Sequence, residues 1–300
     1  MSTVGQALLE ATRVAGTAPG VSDPGELAGR LYAQWYAAPV TPAREPVGPP
    51  LARLLDARLL AVGGWRAVTV RRLDPGGGLV VRDPGGRHHA VLPGRWTRPS
   101  DPGETARTRT SLPPREGQQV LVPPVGGPVL TDSWWRTWAT GWVHPAPPGP
   151  LTRVYLCPRL DHLVHVVGRA VEALVPLRGA WLLKCAVDDA ALARPDRVVV
   201  YVPDPAAPAA LAALEDATRG WLEPHTPPLT RVHAPGLGWA QDDGDGASFG
   251  ENRCAALARG LTAWQQAGRP QEAEPMARRA LREAGLDDRR PHLRRAGSAS

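Results

Sequence analysis

WLLKCAV, residues 181–187, and RVVVYV, residues 197–202, are two short runs rich in apolar and β-branched residues. Runs of this length and composition are typical of buried β-strands, and residues 153–157 form a third run of the same kind. Helical periodicity marks the segments around and after these runs, which are 161–175, 206–221, 248–267 and 275–284. Strands that alternate with helices in this way predict an α+β fold, with a mixed β-sheet and packed helices in the C-terminal half.

The N-terminal half has a different pattern. A weakly patterned start at 1–22 is followed by two segments with helical periodicity, 24–38 and 50–62. The first helix places four large side chains on one side: Leu27, Leu31, Trp35 and Tyr36. Three short alternating runs come next, separated by Asp-Pro-Gly turns: 65–71, 79–82 and 88–92. This order predicts helices followed by a smaller β-meander.

Four tryptophans follow the meander at a spacing typical of a helix face: Trp134, Trp135, Trp138 and Trp142. We expect them to pack against another element. A Pro-rich stretch near residue 145 then separates the two halves. We therefore divide the chain into a helical and β-meander region at 1–145, a C-terminal domain at 150–295 and a disordered tail at 296–300. The first region is a candidate contact surface for a peptide or a kinase.

Composition restricts the class of partner. The net charge is +6, and scattered arginines carry it rather than one basic run. Such a surface suits an acidic or phosphorylated partner, and it is equally compatible with simple solvation. We find no DNA- or RNA-binding motif and no arginine stripe, so we predict no nucleic-acid partner. We also find no signal peptide, no apolar stretch of transmembrane length and no Cys pair of a redox or zinc motif, so we expect a cytoplasmic protein without membrane contact.

Lys184 is the only lysine of the chain, which also contains 34 arginines. Arginine keeps its charge at all biological pH values, whereas a desolvated lysine can lose its proton and act as a base or nucleophile. The neighbours of Lys184 on the predicted strand are apolar. Either the side chain snorkels at a strand end, or it is buried and prepared to abstract a proton. The retention of one amine in an arginine-rich chain favours the second interpretation.

A second candidate site is SFGENRC, residues 248–254, which contains the only asparagine of the chain, Asn252. Ser248 and Glu251 have the spacing of a capping box, so a helix begins here and Arg253 lies in its second turn. A helix N-terminus beside a guanidinium can bind phosphate. A structural ion pair of Arg253 is the alternative, and the sequence leaves both open.

Other polar residues lie on or beside the predicted strands: Arg153, Tyr155, Arg194, Asp196 and Tyr201. The segment 194–197 is either part of a site or an exposed turn with ion pairs. Three histidines are possible general acids, although each can equally be an ordinary core or surface residue: His162, His165 and His233. No Cys, Asp or Glu completes a ligand set around the histidines, so we predict no metal. We find no nucleotide-binding or hydrolase motif either, and we predict no cofactor.

Taken together, these segments resemble the type III effector HopA family. The matching pieces, in chain order, are RVY at 153–155, LLK at 182–184, RPDRVVVY at 194–201, LT at 229–230, APGLGWA at 234–240, SFGENRC at 248–254 and GLDDRRP at 285–291. Their order and spacing carry the resemblance, which extends over residues 150–295. Residues 1–145 match far less clearly.

The resemblance implies an activity. Members of the family occur as plant-pathogen effectors and in bacterial clusters that make thioamitides and class V lanthipeptides. In those clusters they look like phosphoserine/phosphothreonine lyases, which work beside a kinase-like phosphotransferase. The kinase phosphorylates Ser or Thr of a precursor peptide, and the lyase eliminates phosphate to leave dehydroalanine or dehydrobutyrine. A carbon–oxygen lyase of this kind requires no cofactor.

Such an elimination needs a base for the Cα proton, cations for the phosphate and an acid for the leaving oxygen. We assign Lys184 as the base and guanidinium groups as the phosphate clamp: Arg153, Arg194 and Arg253. Candidates for the acid are His162, His165, His233 and Tyr201. Supporting roles go to Tyr155, Asp196, Asn252 and His233. The alternative function is a non-catalytic module that binds a leader peptide or the kinase.

Overall fold

The structure is a computed structural model that describes residues 4–17, 23–42, 50–99, 113–131, 133–139, 142, 149–177, 179–244, 246–268 and 272–295. The helices are α1 (Val4–Gly16), α2 (Pro24–Leu31), α3 (Leu51–Leu60), α4 (Leu163–Leu174), α5 (Asp189–Leu192), α6 (Ala207–Thr218), α7 (Phe249–Gln266) and α8 (Glu274–Glu283). The strands are β1 (Arg66–Leu73), β2 (Leu79–Arg82), β3 (His88–Val91), β4 (Gln119–Val122), β5 (Val125–Thr131), β6 (Trp134–Ala139), β7 (Leu151–Leu156), β8 (Leu182–Ala186), β9 (Val198–Pro203), β10 (Arg231–Ala234) and β11 (Leu237–Gln241). The predicted α+β class is confirmed, and the predicted tail at 296–300 lies outside the described residues.

The larger sheet has seven strands in the order β10-β11-β7-β9-β8-β6-β5. Its strand pairings are antiparallel throughout, where we expected a mixed sheet. The reason is that β9 returns after a short connection and inserts between β7 and β8. Parallel neighbours need a longer crossover connection.

The two faces of this sheet pack against different helices. On one face, Val154, Leu183 and Val200 form a core with residues of α3, α4 and α6. On the other face, Tyr155 and Val199 form a core with residues of α1, α2, α7 and α8. We call the second face the Lys184 face, because Lys184 lies directly across the β8–β9 ladder from Val199. Directly paired residues of an antiparallel ladder point to the same side of a sheet.

Elements from the N-terminal region are part of this arrangement. Helix α2 packs along α7 and continues into one π-helical turn, Tyr32–Tyr36. The predicted apolar side of this segment is buried in the core: Leu27 and Leu31 on α2, Trp35 and Tyr36 on the π-helical turn. Helix α1 is an addition to the predicted elements, and its buried residues lie on one side: Ala7, Leu8, Ala11 and Ala15. Strands β5 and β6 join the larger sheet beside β8. The proposed boundary near residue 145 stays a prediction, although elements from both sides of it share one sheet and one core.

The predicted β-meander is confirmed as β1, β2 and β3, which form a second antiparallel sheet together with β4. The helical spacing of the tryptophans was misleading, because Trp134, Trp135 and Trp138 lie on strand β6. Trp135 is buried with the α3 and α4 side chains, while Trp134 and Trp138 point to the Lys184 face. The run WWRTW satisfies both periodicities, and pairing with β5 and β8 selects the strand.

Candidate active site

The side chain of Lys184 is half-buried on the sheet, between aromatic rings. Its Nζ lies 4.3 Å from the centre of the Trp134 ring and 5.5 Å from the centre of the Tyr201 ring. No carboxylate of the described residues forms an ion pair with this amine. Cation–π contacts position an ammonium group without occupying its N–H groups. The two rings therefore hold the nitrogen in place, and its N–H groups stay available to form hydrogen bonds with a ligand.

Asp196 and Arg194 lie in the segment that precedes β9, and Asp196 interacts electrostatically with both Arg194 and Lys184. The Asp196 side chain is buried, and its Oδ1 has no hydrogen-bond partner. Burial raises the pKa of the Asp196 carboxyl, and the charges of Arg194 and Lys184 oppose that shift. Burial thus shifts this carboxyl towards its neutral form, and a neutral carboxyl group can act as a proton donor.

All four tyrosines of the chain gather in the same region. The rings of Tyr32 and Tyr36 are stacked with centres 5.6 Å apart, and the Tyr36 and Tyr155 rings each lie close to Phe249, at 6.1 Å and 6.2 Å. Burial raises the pKa of Tyr32, Tyr36 and Tyr155, and the negative charge of Asp196 adds to the increase. These hydroxyls therefore keep their protons at neutral pH.

Arg153 lies on β7, and it holds the 242–247 segment against the sheet. Its Nε donates to Oδ2 of Asp242 at 2.7 Å, and its Nη2 donates to the carbonyl oxygen of Ala247 at 2.8 Å. Its guanidinium carbon lies 5.3 Å from the centre of the Tyr201 ring. The structure thus brings Arg153 to the Lys184 face, with much of its donor capacity directed at the protein itself.

Arg253 is fully buried at the start of α7. Its Nε donates to the carbonyl oxygen of Pro291 at 2.8 Å, and its Nη1 pairs with Asp243. Asn252 also donates to Asp243, with Nδ2 and Oδ2 2.8 Å apart. The ion pair that the sequence left open as an alternative is therefore present, and a phosphate-binding role for Arg253 stays a prediction.

The predicted capping box of α7 is confirmed. The Ser248 side chain accepts from the Glu251 backbone N–H at 3.1 Å, and the Ser248 N–H donates to the Glu251 carboxylate at 2.7 Å. Gly250 follows, and a Cβ at that position would lie 2.2 Å from the ring of Tyr36. The glycine thus lets Tyr36 pack directly on the first turn of α7.

The structure does not bring the candidate histidines to the Lys184 face. His162 precedes α4 and lies 3.7 Å from Asp161, and the His165 ring packs edge-on against Trp221 with centres 4.3 Å apart. His233 lies 3.1 Å from Glu215 of α6. His162 directly precedes α4, His165 lies on α4 and Glu215 lies on α6, and both helices cover the opposite face of the sheet. The acid–base groups that do lie near Lys184 are Asp196 and Tyr201.

Three other features find no support in the described part of the chain: a metal site, a membrane-spanning helix and a cysteine nucleophile. It contains no group of three or more His, Cys, Asp or Glu side chains arranged to hold a metal ion. Its helices include none that is both long and apolar enough to cross a bilayer. The three cysteines are unpaired and buried, and burial raises the pKa of Cys157 and of Cys254 to about 12. Such thiols stay protonated and do not serve as nucleophiles.

The model of the HopA1 effector protein family matches residues 140–293. The chain belongs to the HopA1 effector protein family. Strands β7 to β11 lie inside the matched region, so Lys184, Asp196 and Tyr201 are part of the HopA1 match. No curated protein sequence matches the chain.

Two solved structures of Pseudomonas syringae effector proteins share the fold. The protein from pathovar tomato strain DC3000 is 12% identical over 98% of each chain, with a TM-score of 0.57. The protein from pathovar syringae strain 61 is 13% identical, covering 98% of this chain and 99% of the other, with a TM-score of 0.54. The similarity to these two effector structures therefore extends beyond residues 140–293 and includes the N-terminal elements.

Sequence reasoning missed residues that the fold adds to the site. Tyr32, Tyr36 and Trp134 all come from the segment before the HopA1 match. For Tyr32 and Tyr36 the sequence did contain a signal. The chain has only four tyrosines, and the other two, Tyr155 and Tyr201, are predicted site residues. Trp134 and its neighbour Arg136 gave no such signal, because β6 was interpreted as a helix face.

Proposed function

We propose that this HopA1-family protein is a phosphoserine/phosphothreonine lyase. It acts in the cytoplasm on a phosphorylated precursor peptide and leaves dehydroalanine or dehydrobutyrine, as in lanthipeptide or thioamitide biosynthesis. The observation that carries the proposal is the environment of Lys184. The single amine of the chain is held against two aromatic rings, outside any ion pair with the described carboxylates, and lies next to a buried carboxyl group.

Each step of the elimination has a candidate group on the Lys184 face. Nζ of Lys184 takes the Cα proton, and the electrons of that C–H bond form the Cα–Cβ double bond. The Cβ–O bond breaks, and its electrons leave with the phosphate oxygen. Asp196, whose raised pKa favours the protonated form, and the Tyr201 hydroxyl are the candidate donors to that oxygen. Arg194 supplies positive charge where negative charge develops.

The test is direct incubation with a phosphopeptide. A synthetic peptide with one phosphoserine or phosphothreonine is mixed with the purified protein, alone and together with the kinase-like phosphotransferase. Mass spectrometry should show loss of one phosphoric acid, and thiol addition should trap the dehydroamino acid. The unphosphorylated peptide is the control. An intact phosphopeptide after incubation with well-folded protein, in both arrangements, rejects the lyase.

A non-catalytic binding module is the second candidate. The observation in its favour is that Arg153 and Arg253 already direct donors to Asp242, Asp243 and backbone carbonyls, so two of the three predicted clamp residues are engaged. A binding module would show saturable affinity for the leader peptide or the kinase without elimination. Its Lys184→Arg variant would also retain function, whereas the lyase would lose turnover.

A further inference from the structure

Arg136 is the residue that stands next to Lys184 across the β6–β8 ladder, where the two are direct antiparallel partners. Such partners point to the same face of a sheet, with Cβ atoms about 4.5–5.5 Å apart. Arg136 therefore belongs to the immediate surroundings of the amine. It comes from the chain segment before the region of the family match, and sequence reasoning did not select it.

The guanidinium of Arg136 has unused hydrogen-bonding capacity. Its Nε is buried and has no hydrogen-bond partner, and the described residues supply no carboxylate to pair with the group. A buried N–H without an acceptor costs free energy, and a charged group loses more than a neutral one. An anionic ligand on the Lys184 face would remove that cost. The arrangement thus favours binding of an anion beside the amine.

Three of the other guanidiniums differ in this respect, whereas that of Arg194 contacts only the ring of Tyr32, at 6.0 Å, among the described residues. Arg153 and Arg253 donate to carboxylates and carbonyl oxygens of the protein, and Arg197 donates to backbone carbonyls and to Thr41. Phosphate binding by these residues would compete with those contacts or break them, although Nη2 of the fully buried Arg253 also lacks a partner. Arg136 would break none of this kind.

The edge of the sheet is exposed beside Arg136. Val129 is its partner on β5, the edge strand of the sheet, and remains 37% exposed. The helices of the Lys184 face pack with Tyr155, Val199 and Ala240, which lie on the strands β7, β9 and β11. The part of the face formed by β5 and β6 is thus the side from which a chain can reach the amine.

We propose that Arg136 binds the phosphate group of the phosphoserine or phosphothreonine side chain in the substrate peptide. This inference rests on the proposed lyase function and names the phosphate-binding residue of that same site. A guanidinium fork can hold two phosphate oxygens at once. Because Arg136 is the direct cross-strand partner of Lys184, a phosphate held there brings the Cα hydrogen of the same residue to the amine.

The first measurement is binding, by calorimetric titration with inorganic phosphate and with matched phosphorylated and unphosphorylated peptides. Arg136→Gln should weaken binding of phosphate and of the phosphopeptide by about tenfold or more, the loss expected for a hydrogen bond to a charged group. Binding of the unphosphorylated peptide should stay unchanged. Arg136→Lys should recover part of the loss. Arg72→Gln, which alters an exposed arginine of β1, is the matched control and should bind like the wild type.

Circular dichroism checks that each variant is folded, and Arg136→Met provides a second charge-removing variant with a long apolar stem. Unchanged phosphate affinity in a folded Arg136→Gln or Arg136→Met protein would overturn the inference. Turnover is measured separately. A wild type that binds the phosphopeptide through Arg136 without eliminating it keeps this inference and rejects the lyase. If the wild type eliminates phosphate and the Arg136→Gln variant has the same KM and the same phosphate affinity, the lyase is supported and this inference is rejected.

Discussion

Lys184 and Trp134 are in direct contact, with Nζ 4.3 Å from the centre of the indole ring. The two residues belong to paired strands, and Trp134 precedes the region of the family match. The amine is therefore positioned by a part of the chain that the family comparison does not cover. This dependence can be tested from both sides of the contact.

Replacement of the amine itself is the first test. Lys184→Arg keeps a cation over the Trp134 and Tyr201 rings, but arginine cannot act as a base at neutral pH. We expect kcat for phosphate elimination to fall by about 10²–10⁴, the usual contribution of a general base. Phosphopeptide affinity should change only a few-fold. A variant with wild-type turnover would show that another group removes the Cα proton.

Replacement of the ring is the second test. Trp134→Ala removes a cation–π contact of about 0.5–1 kcal/mol or more and leaves the lysine less constrained. We expect kcat/KM to fall by about two- to fivefold, and Trp134→Phe should lose less because it keeps an aromatic face. Trp135→Phe is the matched control. Trp135 points to the opposite face and donates to Asp56 at 2.8 Å, so its loss should lower the melting temperature and leave the activity of the folded protein unchanged.

The buried carboxyl group gives a prediction that separates stability from activity. Burial raises the pKa of Asp196, so the folded protein holds this proton more tightly than the unfolded chain. Stability is then highest below the unfolded pKa and falls as the pH rises through the folded pKa. Asp196→Asn cannot ionise, so it should be more stable than the wild type at neutral pH. If Asp196 donates a proton to the leaving phosphate, the same variant should lose turnover, and thermal melts with parallel assays measure both effects.

The lowered pKa of His292 gives a second prediction for the pH dependence of stability, on the acidic side. Burial, together with the charges of Arg231 and Arg290, lowers the pKa of His292 from 6.5 to about 4. The stability that depends on a neutral His292 is fully present above the unfolded pKa and is lost as the pH falls from 6.5 towards 4. Over that range the contribution is at most about 3 kcal/mol. Urea unfolding should show a shallower acid-side decrease for His292→Gln, and an equally steep decrease would exclude this residue as its source.

Local sequence patterns explain why strands and helices of the C-terminal half could be predicted. The apolar runs around Lys184 and Tyr201 did become paired central strands, and Ser248 with Glu251 did start α7. Strand pairing then placed Lys184, Tyr201 and Arg153 on one face, which the pattern of alternation alone could suggest but not establish. Capping and alternation depend on residues a few positions apart, so a sequence reports them well.

The remaining site residues depend on contacts that are distant in the sequence. Tyr32 and Tyr36 reach the site because α2 packs along α7. His162 was a reasonable acid by chemistry alone, but helix α4 carries it to the other side of the sheet. Trp134 and Arg136 became visible only when β6 paired with β8. Tertiary packing decides which face of the sheet an element covers. This cannot be inferred from the local pattern of a single sequence.

The contact between α2 and α7 gives the last prediction. A Cβ on Gly250 would lie 2.2 Å from the Tyr36 ring, so Gly250→Ala forces the ring or the helix to move. Overpacking of this kind typically costs about 1–3 kcal/mol. Gly29→Ala is the matched control, because a Cβ on Gly29 of α2 would have no neighbour within 4 Å and should be neutral or slightly stabilising. Denaturant unfolding measures both variants. The same displacement would loosen Tyr36 and its neighbour Tyr32 around Asp196, so Gly250→Ala should also lower elimination activity in protein that remains folded, whereas full activity would show that the tyrosines serve packing alone.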